Sequence, residues 1–378
     1  MAMSFWFTPV RGTLFDRSNN FTAIRIGLAS WVVLAHAVLL VMGYPYRGTI
    51  PVAIDTIVQW ALDGFFILSG YMLCASLMRS TDMKRYAGAR ILRIFPGLIA
   101  AIILMWLVIA PVFHPQGLLG LMSEDGFWTF PAVILGQIDP LAALPGVFQD
   151  STVPAANGSL WTIRYELLCY LIAGIAASLG LFRAKWGVGV MALGAVALSL
   201  LNSHEGYQGP GAGTIFAATR FGGAFMVGAA FYAFKDHIRL SPLWALIALC
   251  IAFILAPTQA GMITSQIAIA FVLLIAGYVR LPGTFGHQLR EVEDVSYGLY
   301  ILHFPLGHVL LSLQPDLSWP VLFAQMWASA LITGWILRVT IEKPAMGLMA
   351  WVTPKRARQG ETLQPNAPTR APVYSAQP

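Results

Sequence analysis

Charge is what this chain has least of. Only 11% of its 378 residues are Asp, Glu, Lys or Arg, while 57% are apolar. A soluble domain carries about 25% charged residues against about 45–50% apolar. So few charges cannot coat a water-facing surface of this size. Disorder of the bulk is excluded as well, because disordered chains have low hydrophobicity. Cysteine is equally scarce. Cys74, Cys169 and Cys250 all lie within apolar runs, which excludes a disulfide-built secreted scaffold and leaves free buried thiols. The patterns HExxH, CxxC and DxD are missing, so no metal site is expected. GxSxG and GxGxxG are missing too, which removes a hydrolase elbow and a dinucleotide fold. No internal repeat is visible, solenoid or inverted. The net charge of +6 does not point to nucleic acid. The basic residues flank apolar runs, where they act as orientation signals.

Long apolar runs are what the sequence has instead. A membrane helix needs about 20 mostly apolar residues. Ten stretches qualify, near 21–43, 53–78, 94–113, 159–182, 186–201, 214–234, 240–256, 262–280, 295–313 and 319–340. The fold class expected is therefore all-α, a polytopic membrane helix bundle of about ten transmembrane helices. Residues 1–20 lack the short apolar core of a cleavable signal peptide. With the N-terminus placed in the cytoplasm, eighteen of the 23 Lys and Arg fall on that side. Arg25, Arg164, Arg220 and Arg338 fall inside spans, and only Arg47 falls outside. The bias puts both termini in the cytoplasm. The organisation expected is a cytoplasmic segment 1–20, a membrane domain 21–345 and a disordered cytoplasmic tail 353–378, rich in Pro, Gln and Arg. The longest outer loop, about 114–158, has no Lys or Arg and reads as partly re-entrant or packed over the bundle.

Ionisable residues inside apolar runs are costly and mark function. Arg25 and His36 stand eleven apart, which returns them to one helix face about 16 Å apart along the axis. The next run, ALDGFFILSGYM, carries Asp63 and Ser69 with Gly64 and Gly70. The glycines read as close-packing positions, whereas Asp63 needs a partner such as His36 or an arginine. In SYGLYILH, Ser296, Tyr300 and His303 share a face. Tyr300 also suits ordinary packing, and His303 a helix–helix hydrogen bond. Arg164 and Glu166 sit in SLWTIRYELLCY, pairing with neighbours or lining a cavity. Arg85, Arg90 and Arg93 cluster where the chain re-enters the membrane. Orientation and contact with anionic lipid explain such a cluster, and so does a phosphate-binding patch, because guanidinium holds phosphate bidentately.

Together these segments resemble the membrane acyltransferase-3 family, which includes O-acetylases of bacterial surface polysaccharides. Arg25 and His36 resemble its Arg-x10-His motif. DGFFILSGYML resembles its Phe-Phe-x-x-Ser-Gly-Phe segment, with Tyr71 for the usual Phe. ARILRIFP, with Arg90, Arg93 and Pro96, resembles Arg-x-x-Arg-Ile-x-Pro. Trp161, Glu166 and Tyr170 resemble Leu-Trp-x4-Glu-x3-Tyr. SYGLYILHFP resembles Ser-Tyr-x-Leu-Tyr-x-x-His-x-Pro, and Glu342-Lys343-Pro344 the closing Glu-Arg-Pro. The match runs over most of 15–345, with no appended hydrolase-like domain. The resemblance implies acyl transfer from a cytosolic acyl-CoA, most commonly acetyl-CoA, to a carbohydrate hydroxyl in the bacterial inner membrane. Membrane lipids are the surroundings, and neither nucleic acid nor a metal is a partner. Such a hydroxyl needs a base, and His is the side chain suited to that near neutral pH. His36 is the choice, with Asp63 or Glu166 orienting its imidazole as a carboxylate does in a triad. Arg90 and Arg93, with Arg85, would meet the donor's phosphates. Arg25 would hold the diphosphate or polarise the thioester. Tyr300 and His303 would line the acyl path or support the oxyanion, and Ser69 would join the residues that bind the donor. A proton-coupled secondary transporter and a lipid-binding membrane protein are the readings from other classes.

Overall fold

A computed structural model describes residues 19–46, 48–203 and 212–352. Residues 1–18 of the segment expected at 1–20, the tail expected at 353–378, and Arg47 lie outside the described residues. A helix occupies each of the ten predicted stretches. They are α1 (Phe21–Met42), α2 (Thr49–Arg79), α3 (Met83–Phe113), α6 (Trp161–Ser178), α7 (Lys185–Ser203), α8 (Ala212–Ala233), α9 (Pro242–Leu255), α10 (Gly261–Tyr278), α12 (Ser296–Leu313) and α13 (Trp319–Leu337). Short helices fill two connections: α4 (Gly117–Met122) and α5 (Phe130–Leu135) after α3, and α11 (Gly283–Glu291) before α12. Among the described residues seven helices are long and apolar enough to cross a membrane, and eight if α11 and α12, which meet at 76°, count as one bent span. α9 is too short by this measure. The protein is an all-α polytopic membrane protein.

Lipid removes the usual penalty on apolar exposure and the usual reward for apolar burial, so helices associate through close packing and internal hydrogen bonds. Large apolar side chains accordingly face outward, among them Leu171, Ile172 and Ile175 on α6 and Phe253 and Ile254 on α9. The tightest crossing joins α2 to α8. A β-carbon at Gly70 would lie 1.9 Å from the Phe225 carbonyl oxygen, and one at Gly228 would lie 1.9 Å from that of Ile67. Neither position has room for alanine. The expectation of glycine as a packing residue in this motif holds at Gly70.

Two polar devices set the frame. Asp82 caps α3, its side chain accepting from the Arg85 backbone N–H at 3.0 Å. α3 thus starts eleven residues before the apolar run at 94, and Arg90 and Arg93 ride on a continuous helix. In α12, Pro305 has no N–H to give to the carbonyl of Ile301 one turn back. Asn157, fully buried in the long loop after α5, donates to that carbonyl at 2.7 Å. The same loop is tied down twice more. Thr152 donates to the Leu40 carbonyl at 2.6 Å, and the His308 ring donates to the Ala155 carbonyl at 3.0 Å. The loop expected to pack over the bundle does so.

Candidate active site

Five helices and one linker enclose a cavity of about 310 Å³. α1 gives Arg25, α2 gives Phe65 and Ser69, α3 gives Arg90 and Arg93, and α6 gives Thr162, Glu166 and Tyr170. α12 closes it with Ser296, Tyr297 and Tyr300, and Asp294 enters from the connection 292–295. On α6 the lining positions 162, 163, 166 and 170 fall within one sector of about 100° at 3.6 residues per turn. The six predicted residues Arg25, Ser69, Arg90, Arg93, Glu166 and Tyr300 therefore converge here, from stretches up to 275 positions apart.

Asp294, which sequence reading passed over, organises one end of the cavity. One carboxylate oxygen accepts from Arg25 and from Arg93, each at 2.9 Å. Arg93 also lies 3.7 Å from Glu342, which lies 3.3 Å from Arg338. Arg338 and Lys343 both bind Glu293 at 2.9 Å. Seven groups of alternating sign thus form one chain across the helix ends. Burial alone would raise the Asp294 carboxyl, but Arg93 and Arg25 outweigh it and hold it below the usual carboxylate range. Glu293 is likewise held low, by its bonds to Lys343 and Arg338.

Arg90 differs from its neighbour three residues on. Among the described residues it has no carboxylate partner. Its guanidinium lies 5.2 Å from the Tyr170 ring centroid, and its buried Nε has no hydrogen-bond partner. Beside it the Tyr170 hydroxyl donates to Glu166. The cavity therefore offers a cation whose protein partners do not neutralise it.

His36 is not among the lining residues. Tyr300 and Phe65 close that end of the cavity, their ring centroids 5.6 Å apart, and the Tyr300 and Thr162 hydroxyls are bonded at 2.7 Å. Beyond Tyr300 lies His303, with ring centroids 6.3 Å apart, and His303 touches His36 through a 2.7 Å contact between its Nε2 and His36 Nδ1.

Four expectations need correction. Asp63 does not orient His36. Its carboxylate accepts from Arg220 at 3.0 Å, and Arg220 also binds the Gln59 side chain at 2.6 Å. Of the partners considered for it, an arginine is the one present. Glu166 does not orient His36 either, since it faces the cavity and accepts from Tyr170. His303 does not line the cavity; it is fully buried behind it. Arg85 is exposed outside the cavity, at the first turn of α3. Arg164, adjacent in sequence to the lining positions, points off their face and donates to the backbone carbonyls of Gln137 and Ile138 at 3.1 and 3.0 Å.

Residues 18–339 match the family model described as Acyltransferase domain. The chain is 25% identical over 305 residues to an O-acetyl transferase of Shigella phage Sf6, a match covering 78% of this chain and 86% of that one. It is 23% identical over 370 residues to Nodulation protein 10 of Rhizobium leguminosarum bv. viciae, covering 89% and 96%. No solved structure matches.

Proposed function

Because the chain belongs to the acyltransferase-3 family and is a membrane O-acyltransferase, we propose that it moves an acyl group, acetyl by preference, from a cytosolic acyl-CoA to a carbohydrate hydroxyl. The observation that carries the donor is Arg90, a cavity-lining guanidinium without a carboxylate partner among the described residues. A coenzyme A diphosphate supplies the missing anion, and guanidinium meets phosphate through paired N–H bonds. Arg93 and Arg25, already shared with Asp294, form the rigid rim against which that anion seats. The slender pantetheine arm then runs past Ser69 toward Phe65 and Tyr300. Displacing the Tyr300–Phe65 contact brings the thioester to His36.

At His36 the balance is simple. The acceptor hydroxyl gives its proton to the imidazole as its oxygen attacks the thioester carbonyl carbon. The C–S bond breaks, and the imidazolium returns the proton to the leaving sulfur, giving an ester and a free thiol. A general base supplies about 10²–10⁴-fold in rate. The carbohydrate acceptor and the bacterial inner membrane follow from the family resemblance, and the lysine and arginine bias supports a cytoplasmic site for the arginine end of the cavity.

The test is transfer of radiolabelled acetyl from acetyl-CoA to a panel of surface glycans by the purified protein. Label is expected in glycan with the wild type and none with His36→Ala. Failure of the wild type to label any glycan while it hydrolyses acetyl-CoA would remove the carbohydrate acceptor. Equal labelling by His36→Ala would remove the base.

A further inference from the structure

Two neutral imidazoles in contact must divide their protons, and the surroundings here decide how. His303 Nδ1 lies 3.0 Å from the Leu299 carbonyl oxygen. A carbonyl only accepts, so Nδ1 carries the hydrogen. His303 is fully buried, and no carboxylate bonds to either ring among the described residues. An unpaired imidazolium at such a place is strongly disfavoured. His303 is therefore neutral, with a bare lone pair on Nε2. That lone pair faces His36 Nδ1 at 2.7 Å, so His36 Nδ1 is the donor of the contact. The ring geometry agrees. The centroids are 5.0 Å apart with planes at 14°, and that separation exceeds the N···N contact by about one ring width. The rings lie edge to edge in nearly one plane, as an N–H···N bond requires, not face to face.

We propose that His303 is a positioning residue that fixes the tautomer of His36, so that His36 Nε2 is the bare nitrogen that takes the acceptor's proton. The proposal rests on the reading of His36 as general base. A histidine here takes the place a carboxylate holds in a triad, and its proton ends on the Leu299 carbonyl. The device suits a membrane interior. It orients a base through two hydrogen bonds without burying a permanent charge, whereas a carboxylate at this depth would need a cation beside it, as Asp63 has Arg220. When His36 becomes an imidazolium, its Nδ1–H bond to His303 shortens and strengthens.

The experiment uses the full chain in lipid nanodiscs, labelled with nitrogen-15 at histidine, and reads the ring nitrogens of His36 by NMR. His36→Ala identifies its signals. The wild type is expected to show hydrogen on Nδ1 and a bare Nε2. In His303→Leu, which keeps volume but accepts nothing, that tautomer is expected to be lost and kcat to fall about 10²–10⁴-fold, the range of a misoriented or absent base, with the KM for acetyl-CoA within about two-fold. His303→Gln, whose amide oxygen can accept from Nδ1–H, is expected to recover kcat to within about 10-fold of wild type. Hydrogen on His36 Nε2 in the wild type overturns the proposal. So does a His303→Leu enzyme with wild-type kcat. The spectrum needs no turnover: a wild type that transfers no acyl group refutes the functional reading, while its His36 signals still decide the tautomer.

Discussion

Arg90 and Arg93 share a helix and a spacing of three, yet the structure separates what their loss should do. Arg93 is bonded to Asp294 at 2.9 Å and lies 3.7 Å from Glu342, which is 3% exposed. Arg90 has no such partner. Arg93→Ala therefore removes the cation shared by Asp294 and the buried Glu342, leaving each with a single arginine. Breaking a buried pair from one side costs about 3–5 kcal/mol. At about 2.1 cal/mol/K per residue this chain unfolds with about 0.8 kcal/mol/K of entropy, so the melting midpoint should fall by roughly 5 °C. Arg90→Ala strips a cation–π contact with the Tyr170 ring, worth about 0.5–2 kcal/mol, and a hydrogen bond with the same residue but no carboxylate pairing, and its midpoint should move less. The order should reverse for the donor. One charge-assisted bond to phosphate contributes about 1.5–3 kcal/mol, a loss of roughly 10- to 150-fold in affinity. Arg90→Lys should recover part of it, because the ammonium keeps the charge and loses the fork. Melting followed by intrinsic fluorescence and equilibrium dialysis of labelled coenzyme A, both in detergent, give the two numbers for each variant. Arg90→Ala binding within a few-fold of wild type would refute the assignment. So would an Arg93→Ala protein that melts like the wild type.

Asp294→Asn leaves Arg25 without its carboxylate and Arg93 with Glu342 alone. It should lower the midpoint by roughly 5 °C on the same arithmetic. Since the folded carboxyl titrates below its unfolded value of about 3.9, its pairing stabilises at every pH above that and is lost as the pH falls through the lower, folded value. Melting curves of wild type and variant should converge only in that acid range. Asn157→Ala removes the donor to the Ile301 carbonyl and should cost about 1–3 kcal/mol, read as a lower midpoint with unchanged coenzyme A binding. Gly70→Ala should prevent assembly, because the new methyl meets a backbone carbonyl that cannot turn aside. A monodisperse, wild-type-like peak in size exclusion would contradict the described α2–α8 crossing.

The helices were legible because most of the ten apolar runs are long and their flanks are charged, although among the described residues seven or eight helices, not ten, are long and apolar enough to cross a membrane. Where the prediction slipped, a local cap was responsible. Asp82 starts α3 well before the apolar run, and hydropathy does not register a cap. Most of the cavity was also legible, because Arg25, Glu166 and their like are conspicuous inside apolar sequence. Asp294 was not, since it sits between helices, where an acid is ordinary, and only its two arginines make it unusual. Partnerships were the least legible part. Asp63, Arg220, His36 and His303 each stand out within their spans, but periodicity places a residue on a face without naming what that face meets. The expected carboxylate–histidine pairing followed the triad of soluble enzymes, in which a buried acid bonds the imidazole. In this bundle the acid went to an arginine and the histidine went to a histidine.

The bond from Asn157 to the Ile301 carbonyl has a mechanical side. A proline inside a helix is a natural bending point, and Pro305 follows His303 by two residues. Asn157 acts there as a splint, bridging the missing rung from outside the helix. Its own side-chain oxygen is held in turn by the Ser159 hydroxyl at 2.6 Å and the Ser159 backbone N–H at 3.1 Å. Two residues further along, Trp161 begins α6, whose inner face carries Thr162 and Glu166 into the cavity. A tug on the long loop is therefore felt in two places at once, at the stiffness of the turn bearing His303 and at the wall opposite Arg90. An acceptor that presses on this loop would be pressing on the joint between the donor's chamber and the base.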